Sequence, residues 1–375
     1  MKVRPATGPR ALVGRDRRSA RGSAPGRGDL LWPRRRRLRR HRRGGRPRRR
    51  DPRVGTRPSA LADSDATYRG GGLRRERHPQ RRGRRLVSHP EKAKGTCREM
   101  LAILHRGFEL VLVHGTGPQV GNLLLQFEKA RDIIPVPPLD VAVATSQGLL
   151  GHMLEIAMRM VLEEDKMERE VATVLTQVVV DPADPAYKCP TKPIGPFYSR
   201  EAAERFRREE GWSIVEDAGR GHRRVVCSPK PLKVLPLHTI KHLLQNETVV
   251  IACGGGGLPV NYGARAVVGT EGVIDKDATA ALLAYNLGVE LFIILTGVDK
   301  VCLDFGKPTE RPIDVLSAGE ARRYLAEGQF PPGSMGPKIE GAVEYVEKGG
   351  KEAHIAHERH VVKAMRDGLC TRIVP

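Results

Sequence analysis

From about residue 88 onward, apolar positions recur with two alternating periods. Residues 93–106 place Cys97, Met100, Leu101 and Leu104 at helical spacing, and residues 108–113 form a short apolar run that reads as a buried strand. That strand leads into His114-Gly-Thr-Gly-Pro-Gln-Val-Gly121 and then a helical stretch at 122–129. A long helix is predicted over 144–163 and a β-branched strand over 171–180. A buried strand at 248–252 runs into four consecutive glycines, Gly254, Gly255, Gly256 and Gly257. Further on, 277–287 reads as helix, 291–295 as a strand ending at Thr296 and Gly297, 340–348 as helix and 352–356 as strand. Strands that alternate with helices predict an α/β protein with a mostly parallel sheet covered on both faces. In such sheets ligands bind outside the carboxyl ends of the strands.

Glycine stands at three of those ends: 114–121, 254–257 and 296–297. Without a Cβ, a backbone can bring its N–H groups close to a phosphate, and a following helix adds a favourable dipole. One such loop is equally an ordinary tight turn; three in one sheet point to phosphate. A Walker-type loop and a GxGxxG at a first strand–helix turn are both absent from the sequence, which argues against a P-loop or Rossmann domain. Two lysines stand at predicted helix starts, Lys276 in Val273-Ile-Asp-Lys-Asp277 and Lys338 in Gly333-Ser-Met-Gly-Pro-Lys338. A helix N-terminus disfavours a cation, so an anion that visits explains them better than structure does. A third, Lys192, sits in 181–199, a stretch with five prolines that is too stiff for a helix and too apolar for a free linker.

Charge divides the chain. Residues 1–90 carry 30 Lys and Arg against 6 Asp and Glu, whereas 91–375 carry 35 against 37. The overall +22 therefore belongs to the N-terminal segment and is no nucleic-acid signature of the globular part. Residues 1–88, rich in Arg, Gly and Pro, show no sustained period and are expected to be disordered or non-native, as when a GC-rich gene is read out of frame or from a wrong start. As a nucleic-acid-binding arm the segment has only Trp32 and Tyr68 to stack on bases, and as a targeting peptide it is too long and contains acidic residues. Residues 89–375 are long enough for one large domain with a subdomain. Six cysteines without a CxxC pair, twelve histidines without ligand spacing, and no membrane-length apolar run predict a reduced, cytoplasmic protein with no protein-held metal.

Eight motifs carry a resemblance: HGTGPQVGNLLL (114–125), SQGLLGHMLE (146–155), TQVVVDPADPAYKCPTKPIGPFY (176–198), GWSIVEDAGRGHRRVVCSPKP (211–231), IACGGGGLPV (251–260), GVIDKDATAALLA (272–284), ILTGVDKVCLDFGKP (294–308) and GQFPPGSMGPKIEGAVEYVEKGG (328–350). Together they resemble the carbamate kinases, a branch of the amino-acid kinase family, in order and over nearly all of 90–375. The resemblance implies a three-layer αβα sandwich with a mostly parallel central sheet, a small protruding subdomain at about 181–235, and a homodimer. It implies reversible phosphoryl transfer between ATP and carbamate, giving ADP and carbamoyl phosphate, with Mg2+. By the same resemblance Lys192, Lys276, Asp277 and Lys338 are catalytic. Gly115, Thr116, Gly117 and Gly254 to Gly257 bind substrate and phosphate, and Asp275, Thr296, Gly297, Val298, Met335 and Gly336 border the nucleotide. The carbamate oxygen is already an anion, so no general base is needed.

Three departures accompany it. The strand and Gly-Gly-Asn loop that open the family are not found, so the sheet is expected to lack a central strand and the site one wall. Thr116 stands where the family usually has Asn, and His222 where it has Trp. The alternatives are a sibling kinase acting on another carboxylate, and a nucleotide-binding pseudo-enzyme with a basic nucleic-acid-binding arm.

Overall fold

The computed structural model describes residues 59–64, 90–216, 221–263 and 266–375. Its main sheet has eight strands: β1 (Ser59–Ser64), β2 (Glu109–His114), β3 (Val171–Thr173), β4 (Val249–Ile251), β5 (Leu291–Thr296), β6 (Val315–Ser317), β7 (Ala353–His357) and β8 (Thr371–Val374). They lie in the order β6-β8-β7-β5-β1-β2-β4-β3. Every neighbouring pair is parallel except β7 with β8.

The apolar runs of β2 and β5 are continuous because both faces are covered. Leu110 and Leu112 join one core with Met100, Ile103, Met158 and Val161, from α1 (Pro90–His105) and α3 (Leu139–Glu164). Val111 and Val113 point the other way, into a second core that includes Ile240, Leu283, Ile339 and Val343. Those residues come from α5 (Leu237–Gln245), α6 (Lys276–Leu287) and α8 (Met335–Glu347), and α7 (Ala318–Ala326) adds Ala321. The result is a mostly parallel sheet covered on both faces, as the alternation predicts, in the three-layer αβα sandwich that the resemblance implies.

One expectation is corrected. The sheet does not lack a central strand: β1 runs parallel between β2 and β5, with Ala62 opposite both Leu112 and Ile293. These six residues fall within the segment expected to be disordered or non-native. The sequence SALADS has no β-branched residue; its backbone pairing on both edges makes it a strand. The rest of that segment, and with it the nucleic-acid arm and the position of a Gly-Gly-Asn loop, lies outside the described residues.

Element boundaries also shift, α3 starting at Leu139 rather than 144 and α8 at Met335 rather than 340 among them. The run 171–180 is two strands, Val171–Thr173 in the main sheet and Gln177–Val179 in a four-stranded one, because Thr176 turns the chain between them. Helix α2 (Gly117–Ala130) starts within the predicted glycine loop, at Gly117-Pro118, where proline's missing N–H is no loss. Within 181–199 the stiff stretch becomes a short helical turn, Pro185–Tyr187, and a strand, Lys192–Tyr198. That strand pairs with His222–Val226, which also pairs with Ile214–Glu216. Beside them α4 (Arg200–Glu210) adds a small cluster in which Phe206 stacks on Trp212 at 4.5 Å and Arg224 covers the Trp212 ring.

Candidate functional site

The carboxyl ends of β2 and β4 meet as two glycine turns. After β4, Cys253 and Gly255 adopt left-handed conformations (φ 53° and 66°), and Gly256 and Gly257 also have positive φ. The space forbids side chains here: a Cβ on Gly255 would lie 2.2 Å from Thr116 Oγ1, and one on Gly254 2.5 Å from the His114 ring. Buried polar groups fix the turn from below. Thr176 Oγ1 accepts the Cys253 N–H at 2.9 Å, and Gln147 Oε1 accepts the Thr176 N–H at 3.1 Å. On its far side the Gly256 carbonyl accepts Thr279 Oγ1–H from α6 at 2.8 Å. Sequence reading missed Gln147, Thr176 and His114, whose only signal is a polar residue in an apolar run.

Helix α6 begins at the site. Asp275 is its N-cap: Oδ1 accepts the N–H groups of Asp277 (2.9 Å) and Ala278 (3.3 Å). Its other oxygen takes Lys192 Nζ at 2.6 Å, so one carboxylate both caps the helix and receives the lysine of the 192–198 strand. That strand is seated on α2 by a glycine contact; a Cβ on Gly121 would fall 2.4 Å from Gly195 Cα, and Gly195 itself has φ 75°. Two residues on, Asp277 is buried and takes Lys276 Nζ at 3.0 Å and Lys338 Nζ at 3.3 Å to each oxygen. Lys338 is only 4% exposed. It lies inside the first turn of α8 rather than at its start, and a close approach of Gly341 to the Asp277 carbonyl holds α8 against α6. Both lysines thus have a carboxylate partner within the fold, beside the visiting anion that the sequence favoured as their explanation.

Among the described residues, three ammonium charges face the carboxylate charges of Asp275 and Asp277. His114 adds none. Burial pushes its imidazole down to about 4, with Lys276 pressing the same way, while Nδ1–H donates to the Gly115 carbonyl. The turn residues Gly115 and Thr116 are buried and Gly117 is exposed at the α2 N-terminus. Thr296 ends β5 and Gly297 and Val298 follow it, two strands from β2 on the same edge. Met335 and Gly336 open α8, three and two residues before Lys338.

Glycine turns, helix N-termini and converging lysines on the carboxyl edge of a parallel sheet define an α/β protein that handles phosphoryl groups. The profile described as the amino acid kinase family matches residues 83–357. Carbamate kinase from Pyrococcus furiosus is 43% identical over 287 residues, which is 76% of this chain and 91% of that protein. That from Clostridium perfringens is 42% identical, covering 74% and 91%. The structure of carbamate kinase from Giardia lamblia bound to AMP-PNP superposes with a TM-score of 0.73 at 34% identity, over 85% of this chain and 98% of that one. The chain belongs to the amino acid kinase family, in its carbamate kinase branch.

Proposed function

We propose that this chain is a carbamate kinase, an ATP-dependent phosphotransferase that moves a phosphoryl group reversibly between ATP and carbamate, giving ADP and carbamoyl phosphate. The observation that carries the reading is the convergence of Lys192, Lys276 and Lys338 on the adjacent carboxylates Asp275 and Asp277, beside glycine turns from two strands. Forward, a carbamate oxygen bonds to the γ-phosphorus while the bond to the ADP oxygen breaks; no proton moves. Charge gathers on the transferring oxygens, and fixed positive groups supply the catalysis.

In this reading Lys276 and Lys338 face the transferring group, held in place by Asp277, and Lys192 approaches from the protruding 181–235 subdomain. Gly115, Thr116, Gly117 and Gly254 to Gly257 offer backbone N–H groups to carbamate and phosphate. Asp275, Thr296, Gly297, Val298, Met335 and Gly336 border the nucleotide. Both carboxylates at the site already hold lysines or helix N–H groups, so they suit orienting cations better than gripping a metal. Mg2+ would accordingly be held by the nucleotide's phosphates, where it neutralises their charge. A homodimer, a cytoplasmic location and a place in arginine metabolism complete the proposal; among the described residues no helix is long and apolar enough to cross a membrane.

A substrate panel tests the reading. The full chain with ADP and Mg2+ is offered carbamoyl phosphate, acetyl phosphate and N-acetylglutamyl phosphate. ATP formation at least about 100-fold more efficient from carbamoyl phosphate is expected; preference for an acylated amino-acid phosphate would assign a sibling kinase instead.

A further inference from the structure

On the same sheet edge, away from the lysines, three metal-ligating side chains come together. Asp299 lies on the turn after β5. His357 ends β7, and His360 precedes α9 (Val361–Asp367). One donor atom from each lies within 4.8 Å of the others. The fold brings them there directly: β5 and β7 are parallel neighbours with Thr296 opposite His357, and the Glu358 N–H bonds the Thr296 carbonyl at 3.0 Å. His360 Nδ1 meets Asp299 Oδ1 at 2.5 Å, and the two imidazoles pack with centroids 4.8 Å apart. His357 turns an unprotonated Nδ1 to the Arg359 N–H at 3.0 Å. None of the three takes part in the lysine cluster.

We propose that Asp299, His357 and His360 form a site for a divalent transition-metal ion of the Zn2+, Co2+ or Ni2+ class. Two imidazoles and a carboxylate are a donor set that such ions prefer, whereas Mg2+ prefers an all-oxygen shell. Tetrahedral ligation at about 2.0–2.2 Å sets donor atoms roughly 3.3 Å apart, so no pair has to close by more than about 1.5 Å. All three side chains are partly exposed and can rotate to do so. His357 exchanges one hydrogen bond from the backbone for the metal. His360 either ligates directly beside Asp299 or, with its Nδ1–H held by that carboxylate, ligates through Nε2 in the arrangement that orients many metal-bound imidazoles. The ion would tie the turn after Thr296 to the β7–α9 turn. The inference stands on these three residues and is independent of the reaction proposed above.

The test is cobalt uptake by the full, tag-free chain after chelator treatment, followed by visible absorption. One equivalent of Co2+ per chain is expected, with no thiolate charge-transfer band, displaced by Zn2+ and unaffected by excess Mg2+. His360→Gln and His357→Gln should lose that equivalent, and Asp299→Asn should weaken it about 10–100-fold. Thermal unfolding of each variant checks that the fold is retained. No uptake by the intact protein, uptake unchanged in both histidine variants, or a thiolate band showing that cysteine takes the metal would each overturn the proposal.

Discussion

Lys192 Nζ lies 2.6 Å from Asp275 Oδ2, joining residues 83 apart in the sequence across the junction between the 192–198 strand and α6. The same carboxylate caps the helix through its other oxygen. Asparagine caps as well as aspartate, so Asp275→Asn should keep the melting temperature near wild type while lowering turnover; Asp275→Ala should also lose about 1 kcal/mol of stability. Lys192→Ala should lower turnover about 10²–10³-fold with the fold intact. Steady-state kinetics beside thermal melts read both, and wild-type turnover in Lys192→Ala would remove the lysine from the chemistry.

Asp277 holds buried Lys338 and partly buried Lys276 together, and its loss takes a carboxylate partner from an ammonium in the interior. Asp277→Asn should cost about 3–5 kcal/mol, and Lys338→Met less, because Lys276 still pairs with the carboxylate. The double variant should recover part of the loss. Urea unfolding of the four proteins measures the coupling; additive losses would mean that the pair is not the unit described.

His114 gives the protein an acid sensitivity whose sign is fixed. Its folded-state value of about 4 lies below the ordinary 6.5, so from pH 6.5 down to about 4 the unfolded chain binds a proton that the native one refuses. This contribution is constant above pH 6.5, falls with pH through that window, and levels off below about 4 after a loss of about 3 kcal/mol. Urea midpoints at pH 7.5, 6 and 5 should fall less steeply in His114→Asn than in wild type. Equal slopes would show that the imidazole is not held neutral by burial.

Strand β1 has a hydrogen-bonded neighbour on each side, so Pro at its centre removes a ladder donor and collides with the sheet. Leu61→Pro should cost about 3 kcal/mol or more, or yield insoluble protein. Unchanged stability would mean that Ser59–Ser64 does not hold the central place.

The strand ends, their glycines and Lys276 were legible because each breaks a periodic pattern: an apolar run stops at glycine, or a helix opens on a cation; Lys192 stood out in its run of prolines. What stayed hidden has a physical reason in each case. SALADS has no apolar alternation because its place in the sheet comes from backbone pairing with stronger neighbours. The 171–180 run looks continuous because both halves are rich in apolar and β-branched residues, though they lie in different sheets. Lys338 appeared to end a loop, since Gly333 to Pro337 reads as a turn, yet α8 starts at Met335. His357 and His360 seemed unrelated to any ligand until β5 brought Asp299 beside them.

The most direct test of the account is ATP formation from ADP, Mg2+ and carbamoyl phosphate by the full chain beside Lys276→Ala and Lys338→Ala, with circular dichroism to confirm that all three are folded. The account predicts turnover by the wild-type chain and a loss of about 10²-fold or more in either variant. A folded wild-type chain without turnover, or variants as fast as wild type, would contradict it.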